Sequence, residues 1–290
     1  MLLTRIITAS VLASLIALAV FQLPSDFFSL ILAIIALLAG WEWSNLVGVN
    51  SLVKRGLFLV LMVIPMLGIH FWTQLLELTA TVFDFTDIRS YSGALEWLVI
   101  APVLFWIMMM VMIRNAPGGV LKLQMKTRYK LFVGWFVLVA AWMFLSRLRA
   151  FYDSEMTMYF LLLIWTADVA AYFVGKKFGT VKLSPDISPG KTVQGMYGAL
   201  ISGAVCGVIL SLIFKFPMMI ASDFVLLSAL TVLVSIYGDL FFSVVKRQRG
   251  VKDSGSLLPG HGGILDRIDS VVAAAPFFYA GVYLIYRSIS

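Results

Sequence analysis

From Phe27 to Leu46 the chain carries a single charged residue, Glu42. Twenty residues of helix rise about 30 Å, the thickness of a bilayer's hydrocarbon core. Similar stretches recur, and they predict helices over Ile6–Leu23, Phe27–Leu46, Leu57–Trp72, Leu95–Ile113, Leu131–Leu145, Met156–Val174, Gly195–Phe214, Asp223–Val245 and Ile268–Tyr286. The apolar share of 61% and charged share of 13% exclude an ordinary soluble chain, which runs nearer about 45–50% and 25%. The stretches are continuous, not alternating, which excludes a porin-like barrel. One cysteine, Cys206, excludes an intrachain disulfide and a cysteine-built zinc site. The expected fold is an all-α polytopic integral membrane protein with about nine transmembrane helices.

The first stretch has features of a cleavable leader: Arg5, an apolar run and an Ala17-Leu18-Ala19 triplet. No polar stretch precedes the triplet and eight more spans follow, so it is read as a retained helix. With nine spans and an inside N-terminus, 17 of the 22 Lys and Arg fall on the inner side. The outer side receives only Arg89, Arg147, Arg149, Lys215 and Arg287. Basic loops favour the cytoplasm, so the expected orientation is N-terminus in, C-terminus out. The net charge of +7 then reflects cytoplasmic loops beside anionic lipid. No basic stripe interleaved with aromatics points to nucleic acid.

The chemistry is uneven. Residues 1–150 read as lipid-facing and packing helices, and residues 151–290 as a catalytic region with a polar cavity facing the cytoplasm. Asp168 and Asp239 fall inside predicted helices, where a charge is costly and marks function. Asp239, Ser243 and Lys246 share one helical face, as do Asp168, Tyr172 and Gly175. Carboxylates flanked by cations suit a divalent metal with phosphate, and hard oxygen ligands favour Mg²⁺. Ser188-Pro189-Gly190-Lys191-Thr192 lacks the first glycine of a Walker motif, Pro185 standing in its place, and no preceding strand is expected. A lysine before a helix N-terminus still suits phosphate. So do Lys176 and Lys177 beside Gly175. The densest stretch is Ser243–Asp269, with Asp253, His261, Asp266 and Asp269 among basic residues, and Gly260, Gly262 and Gly263 to let backbone close on a ligand. Intramembrane acids and Gly/Pro-broken segments also suit a secondary transporter of a phosphorylated or anionic solute.

Three runs complete the pattern: Ser243-x-Val245-Lys246-Arg247, Lys252-Asp253-Ser254-Gly255, and Pro259-Gly260-His261-Gly262-Gly263-Ile264-Leu265-Asp266-Arg267-Ile268-Asp269. Together they resemble the signature of phosphatidate cytidylyltransferases (CDP-diacylglycerol synthases). Asp168-x-x-Ala171-Tyr172, Gly175-Lys176, Ser188–Thr192 and Gly238-Asp239-Leu240 are similar to that family too. In the N-terminal half, Trp41-Glu42-Trp43 is the main match.

The resemblance implies that CTP and phosphatidate give CDP-diacylglycerol and pyrophosphate with Mg²⁺, in a multi-pass homodimer of the inner (plasma) membrane. It implies Asp239 and Asp266 as metal ligands and Asp168 as a third acid. Lys191, Lys246, Arg247, His261 and Arg267 would contact phosphates. Tyr172, Lys176, Ser188, Thr192, Ser243, Lys252, Asp253, Gly262, Gly263 and Asp269 would complete the substrate site. Two positions depart from the family pattern: Phe242 stands where many members carry an acid, and Val169 where a small or hydroxyl residue is common. A CTP-dependent lipid-alcohol kinase, which releases CDP, is the neighbouring chemistry.

Overall fold

The computed structural model describes residues 2–257 and 262–289; the side chains of residues 2–11, 86, 89, 90 and 289 are outside that description. Eleven α-helices appear in chain order among the described residues. They are α1 (Leu2–Gln22), α2 (Ser25–Leu46), α3 (Leu52–His70), α4 (Trp72–Val82), α5 (Ile100–Asn115), α6 (Pro117–Lys122), α7 (Thr127–Phe151), α8 (Asp153–Phe178), α9 (Val193–Ile213), α10 (Met218–Arg249) and α11 (Leu265–Ile289). A 3₁₀ segment, Thr86–Val99, precedes α5, and two short strands, β1 (Lys182–Ser184) and β2 (Ser188–Thr192), lie between α8 and α9.

Eight helical stretches among the described residues are long and apolar enough to cross a membrane, and they coincide with the second to ninth predicted spans. The chain is an all-α polytopic membrane protein in architecture. Helix is the form such sequences must take, because lipid offers backbone groups no partners. The first predicted span falls in α1, of which Leu12–Gln22 is an apolar stretch.

Local signals set the helix ends that border the polar region. α10 stops at Gly250, whose φ of 75° is left-handed and lets its N–H return to the carbonyls of Arg247 and Lys246. The Thr192 hydroxyl caps α9 by accepting from the Gly195 N–H at 3.1 Å. Two expectations are corrected here. Lys176, Lys177, Lys246, Arg247 and Arg249 lie on the last turns of α8 and α10, not in loops. The Ser188–Thr192 run is itself strand β2, paired antiparallel with β1 through Lys182–Thr192 and Ser184–Ser188. The Gln194 side chain ties this hairpin to α9 by accepting from the Thr180 and Val181 N–H groups.

Helices α8 to α11 pack in sequence, each against the next, while α7 packs on both α2 and α11 and so joins the halves. The α2–α7 contact is close because Gly134 lies under the Trp43 indole, where a Cβ would stand 1.9 Å from Nε1. That nitrogen donates to the Lys130 carbonyl at 2.9 Å. Trp43, Trp106, Phe241 and Phe242 form an aromatic core between α2, α5 and α10.

Candidate active site

A cavity of about 1310 Å³ opens among α8, the hairpin, α10 and α11. Its polar wall contains Asp168, Tyr172 and Lys176 from α8, Ser188, Lys191 and Thr192 from β2, and Asp239, Ser243, Lys246 and Arg247 from α10. Lys252, Asp253, Asp266, Arg267 and Asp269 complete it. Leu12, Ala13 and Ile16 of α1 and Ile35 of α2 give the same cavity an apolar side. The helical-face argument holds: Asp239, Ser243 and Lys246 face the cavity together, as do Asp168, Tyr172 and Gly175. Asp168 and Asp239 each stand ten residues before the end of their helix, which places both about 15 Å from it.

Each of two carboxylates meets a lysine from another element. Lys191 Nζ lies 2.7 Å from Asp239 Oδ2 and also donates to the Ile236 carbonyl at 3.3 Å. Lys246 Nζ lies 2.8 Å from Asp266 Oδ1. Ser243 Oγ donates to Asp239 Oδ1 at 3.3 Å. Asp266 Oδ2 accepts from the Ser254 and Gly263 N–H groups at 2.8 and 3.0 Å. Asp168 is in electrostatic contact with Lys191 and Asp239, and Asp269 with Asp239, Lys246 and Lys191. Acids and lysines thus alternate around one void. Arg247 Nε donates to the Ile187 carbonyl at 3.3 Å, holding the hairpin beside the cavity. The Lys176 ammonium lies 5.8 Å from the centre of the Tyr172 ring.

Three candidates stand apart. Gly262 and Gly263 do not belong to the cavity wall; Gly262 takes a φ of 86° beside Asp266, and Gly263 packs on Glu42 and Ser254. His261, with Pro259 and Gly260, lies outside the described residues. Phe242 faces away from the cavity into the aromatic core, edge-on to Trp43 with ring centres 5.8 Å apart. Val169 follows Asp168 on α8 without joining the cavity wall. Glu42, matched within Trp41-Glu42-Trp43 but given no role from the sequence, is buried and accepts three hydrogen bonds from the segment around Asp266. Besides that match, its signal was a lone acid in a twenty-residue apolar stretch.

The model of the cytidylyltransferase family matches residues 3–285. The chain belongs to the cytidylyltransferase family. A phosphatidate cytidylyltransferase of Pseudomonas aeruginosa is 34% identical over 281 residues, covering 97% of this chain and 96% of that protein. The one of Haemophilus influenzae is 32% identical over 290 residues, covering 96% and 97%. That of Bacillus subtilis is 43% identical over 131 residues, covering 44% of this chain and 47% of its own. Cytidylyl transfer needs a nucleotide triphosphate held by its phosphates, and the cavity's cations suit that task.

Proposed function

We propose that this chain is a phosphatidate cytidylyltransferase, which makes CDP-diacylglycerol and pyrophosphate from CTP and phosphatidate. The observation that carries the reading is one cavity with a lysine–carboxylate wall on one side and an apolar wall on the other. Such a cavity suits a meeting of a lipid phosphate, whose tails stay in lipid, with a soluble nucleotide. The reading includes an inside N-terminus, a cavity facing the cytoplasm across the inner (plasma) membrane, and a homodimer. It assigns chemistry to residues 151–290.

An oxygen of the lipid phosphate attacks the α-phosphorus of CTP. The bond from that phosphorus to the β-phosphate oxygen breaks, and pyrophosphate leaves with the electron pair. No protein nucleophile is required; positioning and charge neutralisation carry this class of reaction. Lys191, Lys246, Arg247 and Arg267 hold the phosphates, and Lys176 and Lys252 extend the positive rim.

The family's chemistry calls for a divalent cation, and the donors fit one. Five carboxylates, Asp168, Asp239, Asp253, Asp266 and Asp269, line the void, and a lysine ammonium already stands at two of them. Among the described residues no group of three or more His, Cys, Asp or Glu is arranged to hold a metal. Mg²⁺ is commonly bound by one or two carboxylates plus substrate phosphates. Asp239 and Asp266 would hold it, with Asp168 as a third acid. Bound there, it would draw charge from the departing pyrophosphate.

The test is a product assay. Purified protein is incubated with Mg²⁺, phosphatidate and CTP labelled in the α-phosphate. The reading expects label in the lipid and one pyrophosphate per lipid formed. Release of CDP in place of pyrophosphate would make the chain a lipid kinase. Solute movement into sealed vesicles without any lipid product would make it a transporter.

A further inference from the structure

The segment between α10 and α11 is gripped by two carboxylates. Asp266 grips it from within, accepting from the N–H groups of Ser254 and Gly263. Glu42 grips the same two stretches from α2. Its Oε2 accepts from Ser254 Oγ at 2.9 Å and from the Leu265 N–H at 2.9 Å, and its Oε1 accepts from the Ile264 N–H at 3.0 Å. Leu265 opens α11, so a side chain from a distant helix satisfies N–H groups at that helix's start, where a negative charge is favoured. The fit is tight. A Cβ on Gly263 would stand 2.3 Å from Glu42 Oε2, and one on Gly255 2.6 Å from Oε1.

Glu42 is 3% exposed and is not part of the cavity wall, so it does not touch a substrate held there. A buried carboxylate is expensive unless its oxygens are bonded. Among the described residues, the three hydrogen bonds that satisfy this one all come from the α10–α11 segment.

We propose that Glu42 is a positioning residue of the transfer reaction: through Ser254, Ile264 and Leu265 it fixes the backbone that carries Asp253 and Asp266 into the cavity. As to the reaction, this rests on the cytidylyltransferase reading above. The N-terminal half thereby completes a site whose cavity-lining charges all lie in the C-terminal half.

The experiment uses the full chain in detergent with Glu42→Gln, which keeps size but loses the charge and one acceptor. Amide exchange is read without substrate, and initial rates are read with α-labelled CTP, on the same folded preparations. Amides of residues 263–266 are expected to exchange about tenfold faster, with α7 and α8 unchanged. The kcat per folded molecule is expected to fall about tenfold or more, because small displacements of reacting groups are costly. The KM for CTP should change less than about threefold, the lost interaction being one used in the transition state. Ser254→Ala removes one of the three bonds and gives smaller shifts of the same kind; it decides the matter if Glu42→Gln does not fold. Unchanged exchange at 263–266, or wild-type kcat, overturns the proposal. An inactive wild type would overturn the reaction, and the exchange result alone then decides whether Glu42 holds the segment.

Discussion

Two ion-paired clusters among the described residues of this helical bundle differ in what lies beside them. Lys246 and Asp266 have side chains 12% and 7% exposed, and Arg147 and Glu96, which also pair, are 14% and 15% exposed. Burial therefore does not distinguish them. The first pair stands in the wall of a cavity of about 1310 Å³ together with Lys191 and Asp239. The second stands outside that wall, closed in by Tyr279, whose hydroxyl donates to Glu96. Tyr279 lies ten residues beyond Asp269 on α11, about 15 Å along the helix. Burial and the nearby Glu96 push the Tyr152 phenol, between α7 and α8, up to about 12. A pair beside a void can exchange its partner for a phosphate or a cation. A pair packed all round can only tie elements together, here the 3₁₀ segment to α7 and α11. Space beside the charge is what the proposed site has and the fastening lacks.

The sharpest way to break this contrast is at Asp266. Asp266→Asn takes the charge from Lys246 and should lower turnover about 10³-fold, measured as label entering lipid per folded molecule. Next is Lys191→Met, which leaves Asp239 without its ammonium; a loss of about 10²-fold is expected in the same assay. At the other cluster, Arg147→Met leaves Glu96 buried without its cation and should cost about 3 kcal/mol of stability. It is read as a lowered melting midpoint, with turnover per folded molecule preserved. The smallest effect belongs to Lys177, which lies one residue from Lys176 but outside the cavity wall. Lys177→Ala should leave turnover within about twofold, since exposed charges away from a site matter little.

The same contrast explains what could be read in advance. Spans two to nine are legible because an apolar stretch near twenty residues has one stable form in lipid. The faces bearing Asp168 and Asp239 are legible because i, i+4, i+7 spacing survives any packing of the helices. Partnerships between elements are not legible. Glu42 meets Ile264 across 222 positions of sequence, and no local pattern encodes that meeting. The β1–β2 hairpin is hidden because Pro185, Pro189 and Gly190 in a stretch of eleven residues read as a loop. Helix α4 and the part of the 3₁₀ segment before Leu95 escape for a related reason: Thr, Asp, Ser and Gly in that stretch carry no lipid signal. Phe242 looks like a missing acid in the sequence. In the structure it is an aromatic wedge packed on Trp43 and Trp106, so the cavity wall does not include that position.

The most direct test is a paired measurement on Asp239→Asn and Glu96→Gln, each purified as the full chain. Turnover per folded molecule and melting midpoint are measured side by side. Asp239→Asn is expected to lose turnover and melt like the wild type, because its charge borders a void. Glu96→Gln is expected to keep turnover and melt lower, because its charge closes a packed junction. The reverse pattern, or loss of turnover in both with unchanged midpoints, would contradict the assignment of the cavity between α8, α10 and α11 as the place where the cytidylyl group is transferred.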